Sequence, residues 1–142
     1  VLKSERVFNT SPETLFKLLC PTTELDWLPG WKADLLHSRS GYAEYNCMWK
    51  TTFFGPEELW VCTRYEVGKA VEYARSSTNM AVKMDISLAD NQDGTTIGRW
   101  LVTMSALNEE GNKMIGGIKE AQKHLDEAID TLVHYIDKGT MI

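Results

Sequence analysis

The stretch Asn112–Gly139, NKMIGGIKEAQKHLDEAIDTLVHYIDKG, decides how the rest of the chain is read. Met114, Ile118, Ala121, Leu125, Ala128, Ile129, Leu132 and Ile136 recur at steps of three and four. At about 100° per residue they form one apolar stripe, opposite Lys119, Lys123, Glu127, Asp130 and Asp137. The spacing predicts a single amphipathic helix of about 40 Å at ~1.5 Å per residue. Asn112, after Gly111, is the expected N-cap, and Lys138-Gly139 supplies a cation for the helix dipole and a left-handed stop. Two features interrupt the pattern. The pair Gly116-Gly117 has two readings, close packing against a strand or room left for a bound molecule. Gln122, close to the stripe, is either a flank residue or a polar group reaching a ligand.

Working outward, the preceding chain switches to a period of two. The runs Trp31–Arg39, Tyr42–Phe53, Glu58–Val67, Val71–Ser77, Ala81–Ala89 and Thr95–Leu107 read as strands. Turn residues separate them: Ser40-Gly41, Gly55-Pro56, Gly68, Asn79 and Asn91-Gln92-Asp93-Gly94. Such short connections imply antiparallel neighbours. Upstream, a strand through Arg6-Val7-Phe8 leads to a helix that Thr10 or Ser11 can cap, with Pro12 in its first turn. A second short helical segment around Glu24–Leu28 stops at Pro29-Gly30. Without repeats, linkers or low-complexity segments, residues 1–142 read as one α+β domain.

Alternation assigns strand faces. Val82, Met84, Ile86 and Leu88 share one, and Trp100, Val102, Met104 and Ala106 another. Tyr45, Cys47, Trp49, Thr51 and Phe53 point together, while the direction of Trp60, Cys62 and Arg64 stays open. Turned toward the C-terminal helix, these faces offer a surface of Tyr45, Trp49, Trp60, Met84, Trp100 and Met104, rich in rings and sulfur.

Composition excludes several classes. Fifteen Lys plus Arg against twenty Asp plus Glu give a net charge of −5 with no run of five like charges, unlike a nucleic-acid groove or a membrane-surface patch. No apolar run reaches the roughly 18 residues that span a bilayer, and the first residues do not form a signal peptide. Cys20, Cys47 and Cys62 are odd in number and lack metal spacing, which suits buried thiols in a reducing, cytoplasmic setting. His37, His124 and His134 fall in no catalytic motif. No Ser-His-Asp order, phosphate loop or HExxH is present, so catalytic residues remain unassigned and neither a metal nor a cofactor is expected. An inward Arg64, Arg75 or Arg99 would need a carboxylate partner such as Glu44, Glu66 or Asp85, or an anionic ligand head group.

One strand, two short helices, six antiparallel strands and a long C-terminal helix resemble the helix-grip arrangement of the START-like superfamily, also called SRPBCC. The resemblance spans nearly the whole chain. It rests on Asn9-Thr10-Ser11-Pro12-Glu13-Thr14-Leu15-Phe16, Leu28-Pro29-Gly30-Trp31, Glu58 through Glu66, and Asp93-Gly94-Thr95-Thr96. It implies a curved seven-stranded antiparallel sheet wrapped around the long helix. With a single glycine in Ser38-Arg39-Ser40-Gly41, the chain departs from the plant pathogenesis-related branch. It is shorter than the sterol-transfer domains and lacks the iron triad of Rieske oxygenases, so small bacterial members are the nearest likeness. The resemblance further implies a cavity between sheet and helix for a lipid or polyketide-like molecule, lined by Tyr45, Trp49, Trp60, Met84, Trp100, Met104, Gly117 and Gln122. A non-catalytic carrier or sensor is the first expectation. A polyketide cyclase/dehydratase and a co-chaperone-like interaction module are the alternatives. Whether the chain forms a homodimer stays open.

Overall fold

A computed structural model describes residues 1–142. Seven strands, β1 (Leu2–Phe8), β2 (Asp34–His37), β3 (Met48–Thr51), β4 (Glu58–Glu66), β5 (Ala70–Ser76), β6 (Met80–Asp90) and β7 (Thr96–Ala106), form one antiparallel sheet. Its spatial order is β1-β7-β6-β5-β4-β3-β2. The curved α+β architecture expected from the pattern is the one observed. Between β1 and β2 lie α1 (Pro12–Leu18) and a 3-10 turn (Thr23–Asp26); after β7 come α2 (Glu109–Gly116) and α3 (Ile118–Lys138).

Local chemistry accounts for the element ends. Ser11, not Thr10, caps α1: its hydroxyl accepts from Thr14 N at 3.2 Å, and Pro12 occupies the first turn. Leu15, Phe16 and Leu19 then turn inward and are buried. At the far end, Gly139 adopts φ 74° and donates its N–H to Tyr135 O at 2.7 Å, closing α3 as expected.

The single C-terminal helix is corrected to two. Asn108, not Asn112, is the first N-cap, its side chain accepting from Gly111 N at 2.9 Å. Gly111 follows because a side chain there would collide with the carbonyl of Asn79 and with Ala106. Gly117 then leaves helical geometry at ψ 32° and separates α2 from α3. Added carbon at Gly116 would meet no neighbour within 4 Å, so close packing against a strand is not the reason for the glycine pair. The pair marks the break between the two helices.

The strand expected over Tyr42–Phe53 is also shortened, to Met48–Thr51. Glu44 is the cause: its carboxylate accepts from the backbone N–H groups of Arg39 and Ser40 and from the hydroxyls of Ser38 and Ser40, folding the chain into a closed loop. Asn46 at φ 67° completes the turn. Alternation therefore begins only at Cys47, and Tyr45 lies outside, 62% exposed, rather than on the inner face.

α3 runs along the β1 edge, and polar contacts join the two. Gln122 Nε2 donates to the free carbonyl of Lys3 at 2.8 Å, Ser4 Oγ donates to Asp126 at 2.8 Å, and Arg6 Nε donates to Asp130 at 3.2 Å. Asn9 Nδ2 donates to Asp137 at 3.1 Å. Beneath this clasp Ile129 and Leu132 enter a core containing Phe8, Leu15, Trp49, Trp60, Tyr73 and Trp100. A smaller cluster of Leu2, Met80, Val82 and Val102 adjoins it, with Met84 and Leu125 packed against both.

Candidate functional site

Strand register brings the unusual side chains together at the β3–β5 end of the concave face, away from α3. Trp49 pairs with Trp60, and Trp60 with Arg75, so three successive strands contribute one row. The direction of Trp60 and Cys62 is thereby settled: both are buried on the inner face, at 4% and 0% exposure. Arg64 is exposed and bonds Glu66 at 2.9 Å. Arg75 is the inward arginine, and its partner is Glu58 rather than Glu44, Glu66 or Asp85. Nη1 donates to both Glu58 oxygens, at 2.8 and 2.7 Å.

The rings form a box around this row. Trp49 and Trp60 stack at 5.3 Å, with 24° between their planes, and Phe54 stacks on Trp60 at 6.0 Å and 22°. Trp31 meets Trp60 edge-on at 84°, and Tyr73 meets Trp49 edge-on at 82°. The Arg75 guanidinium sits 4.3 Å from the Phe54 ring centre and 5.3 Å from that of Trp60. Phe54, in the loop between β3 and β4, is 44% exposed and carries the stacked set out to solvent.

Hydrogen bonding within the box is incomplete. The indoles of Trp27 and Trp31 donate to Leu18 O and Pro21 O, at 2.9 and 2.8 Å. Trp49 Nε1, Trp60 Nε1 and Arg75 Nε are buried without any partner. A buried donor left unpaired costs about 1–3 kcal/mol, so three in one row are uncommon.

Two further groups lie in the same part of the molecule. Glu24, in the 3-10 turn, is half-buried; protein atoms crowd its carboxyl, and burial pushes its pKa from 4.5 up to about 8. Tyr73 is held nearby, its hydroxyl donating to Leu19 O at 2.6 Å; burial, and secondarily the charge of Glu24, raise the phenol's pKa. Cys47, immediately before β3, lies opposite Cys62 of β4, whose N–H donates to Cys47 O at 2.9 Å. Cys62 Sγ donates to Arg64 O at 3.4 Å, and the interaction of the two neighbouring thiols lowers Cys47 to about 7 and moves Cys62 upward. All three cysteines are unpaired and buried. No group of three or more His, Cys, Asp or Glu is arranged to hold a metal, and no helix is long and apolar enough to cross a membrane.

The residues singled out by sequence divide between regions. Trp49 and Trp60 are in the box. Trp100 is buried against Phe8 at 5.8 Å, nearer the β1 side. Met84 and Met104 are half-buried beside the smaller cluster. Gly117 is at the break between α2 and α3, Gln122 bonds the β1 edge, and Tyr45 is on the surface. His124 is exposed and bonds Glu120 at 3.1 Å. Glu24, Phe54 and Glu58 were not among the expected site residues, and Arg75 was named only as one of three strand arginines whose facing stayed open. For Glu58 and Arg75 a signal existed, since Arg75 stands two residues after Tyr73 on an alternating strand. For Glu24 none did.

Two concavities open elsewhere. One of about 490 Å³ lies on the outer face of the sheet, along Met48, Leu59, Val61, Ala74, Ala81 and Lys83. Another of about 260 Å³ lies between α1 and the Tyr42-Ala43 segment, with Cys20 and Tyr65 in its wall.

No known family model matches the chain. No curated protein matches it in sequence either. Solved structures do match in fold. The protein MLL2253 of Mesorhizobium loti superposes with a TM-score of 0.72 at 17% identity, covering 96% of each chain. The Aha1 dimer of Colwellia psychrerythraea gives 0.70 at 15% identity, over 97% of this chain and 96% of that one. DynU16, a protein from the dynemicin biosynthetic locus, gives 0.71 at 10% identity, over 98% of this chain but 48% of its own. At these identities the likeness is one of fold, and it fits the helix-grip arrangement.

Proposed function

We propose that this chain is a START-like (SRPBCC) domain that binds a small apolar or aromatic molecule on the concave side of its sheet, as a carrier or sensor. The observation that carries the reading is the aromatic box. Trp31, Trp49, Trp60, Tyr73 and Phe54 present stacking faces that begin in the core and end at solvent. Rings so placed offer a planar guest dispersion and stacking, with apolar burial contributing roughly 25 cal/mol per Å² before ordering costs. Met84 and Met104, half-buried beyond Arg75 and Val82 on the same face, offer adaptable apolar surface to a longer guest. The test is native mass spectrometry of freshly purified protein beside its denatured mass, with tryptophan emission followed during titration with apolar and aromatic compounds. A stoichiometric adduct, or saturable quenching lost in Trp60→Ala, supports the reading. Absence of both an adduct and saturable quenching sinks it.

Glu24 favours a second reading, a cyclase- or dehydratase-like enzyme. A carboxyl with a pKa near 8 is protonated at neutral pH and can give a proton to a bound carbonyl or take one back. Under this reading Glu24→Gln abolishes turnover of a poly-β-keto precursor while leaving its binding intact. Unchanged turnover in that variant would exclude Glu24 from the chemistry.

A further inference from the structure

The unpaired donors say more about the guest than the rings do. Trp49 and Trp60 are 99% and 96% buried, and their N–H groups have no acceptor, although the same fold satisfies the indoles of Trp27 and Trp31 with backbone carbonyls. Arg75 commits Nη1 to both oxygens of Glu58 and leaves Nε–H without a partner. The three donors belong to residues that are direct cross-strand neighbours. They lack only acceptors.

Charge narrows the chemistry of the missing acceptor. Glu58 already balances Arg75 in a pair whose side chains are 7% and 13% exposed. A carboxylate or phosphate brought beside them would add a buried negative charge with no counter-charge. A carbonyl oxygen has two lone pairs and no net charge, so it can satisfy two donors without that penalty. Shape narrows it further. The Phe54 ring is stacked on Trp60 and lies under the Arg75 guanidinium, yet it is 44% exposed and sits on a loop containing Gly55 at φ 106°. Its ring occupies the kind of slot a planar guest would fill.

We propose that Trp49, Trp60 and Arg75 form the recognition site for a planar, uncharged aromatic carbonyl compound, which displaces the Phe54 ring and accepts two of the three N–H groups this row leaves unpaired. The proposal rests on the ligand-binding reading and names the class of its guest. In the complex the guest takes the space of the Phe54 ring beside Trp60 and Arg75, tilted so that its oxygen comes into the plane of the two donors it accepts from.

Fluorenone and fluorene test this, since they share one planar ring system and differ in the carbonyl. Indole N–H resonances of 15N-labelled protein, assigned with Trp49→Phe and Trp60→Phe, report the titration. The expected result is that fluorenone binds at least about tenfold tighter than fluorene and moves the Trp60 resonance. In Trp60→Phe and Arg75→Lys that preference falls to near unity while fluorene affinity is retained, which separates a lost hydrogen bond from a lost fold. Phe54→Ala tightens fluorenone several-fold. Equal affinity for both compounds would overturn the carbonyl proposal and leave the ligand-binding reading standing. If neither compound shifts a tryptophan resonance in wild type or Phe54→Ala, the proposal and this location for the site both fall.

Discussion

The two ends of the sheet solve the same problem in opposite ways. Along β1, polar groups meet partners: Lys3 O, Ser4, Arg6 and Asn9 face Gln122, Asp126, Asp130 and Asp137 on α3, and each makes a hydrogen bond. Along β3–β5, an ion pair and three unpaired N–H donors are enclosed in aromatic rings. The first end is half-exposed, so water competes for each contact and each is individually weak. The second excludes water, so its few polar groups carry large energies of either sign. The β1 end is built to hold the helix. The β3–β5 end retains unspent hydrogen-bonding capacity, which a molecule made only to be stable would have little reason to keep.

The largest effect that can break this contrast is expected at the buried pair. Glu58→Ala leaves Arg75 charged and unpaired, and should destabilise the fold by about 3–5 kcal/mol in urea titrations. Glu58→Leu with Arg75→Met should recover most of that loss. If Glu58→Ala costs less than about 1 kcal/mol, the pair behaves as a surface ion pair and the β3–β5 end is wetter than described.

Glu24 tests the same end through pH. Its folded pKa of about 8 exceeds the unfolded value of 4.5, so the native state binds more protons between those limits. Stability is therefore fully present below about pH 4.5 and falls as pH rises through 8. Glu24→Gln should remove this slope and raise stability by about 2–4 kcal/mol at pH 9, with little change at pH 4. Parallel stability profiles for wild type and variant would mean that the carboxyl is solvated.

Smaller effects belong to the clasp. Gln122→Ala frees the Lys3 carbonyl and should cost about 0.5–1.5 kcal/mol, read as a lower unfolding midpoint and faster amide exchange in β1. A loss as large as that of Glu58→Ala would erase the contrast between the ends. The smallest effect is a gain. Gly116→Ala places a methyl where nothing stands within 4 Å, and should stabilise α2 by about 0.5–1 kcal/mol. Destabilisation there would show that the break between α2 and α3 needs both glycines.

Legibility in the sequence follows the range of the interaction. Trp49 could be placed inside because β3 alternates from Cys47 onward, and a helix start at Thr10 or Ser11 and a stop at Gly139 could be recognised because caps act within four residues. Tyr45, by the same alternation, should have faced inward. It does not, because the Glu44 carboxylate gathers N–H groups from Arg39 and Ser40 and the turn at Asn46 resets the phase. The glycine pair stood out in the sequence, but the apolar stripe steps across it from Met114 to Ile118, so periodicity could not reveal the break; the ψ of Gly117 decided it. Arg75 was visible as a strand arginine, but its partner was set by the stagger of β4 against β5, and Glu58 stood outside the carboxylates considered.

Residue types and their periods suffice to dictate the order of elements, the antiparallel sheet and an inner face rich in tryptophan, because these depend on contacts between near neighbours in the chain. Which tryptophans keep a free N–H, which arginine is neutralised, and how strongly Glu24 holds its proton depend on register and burial. Those are set by groups far apart in sequence, and only the folded chain brings them within a few ångströms of one another.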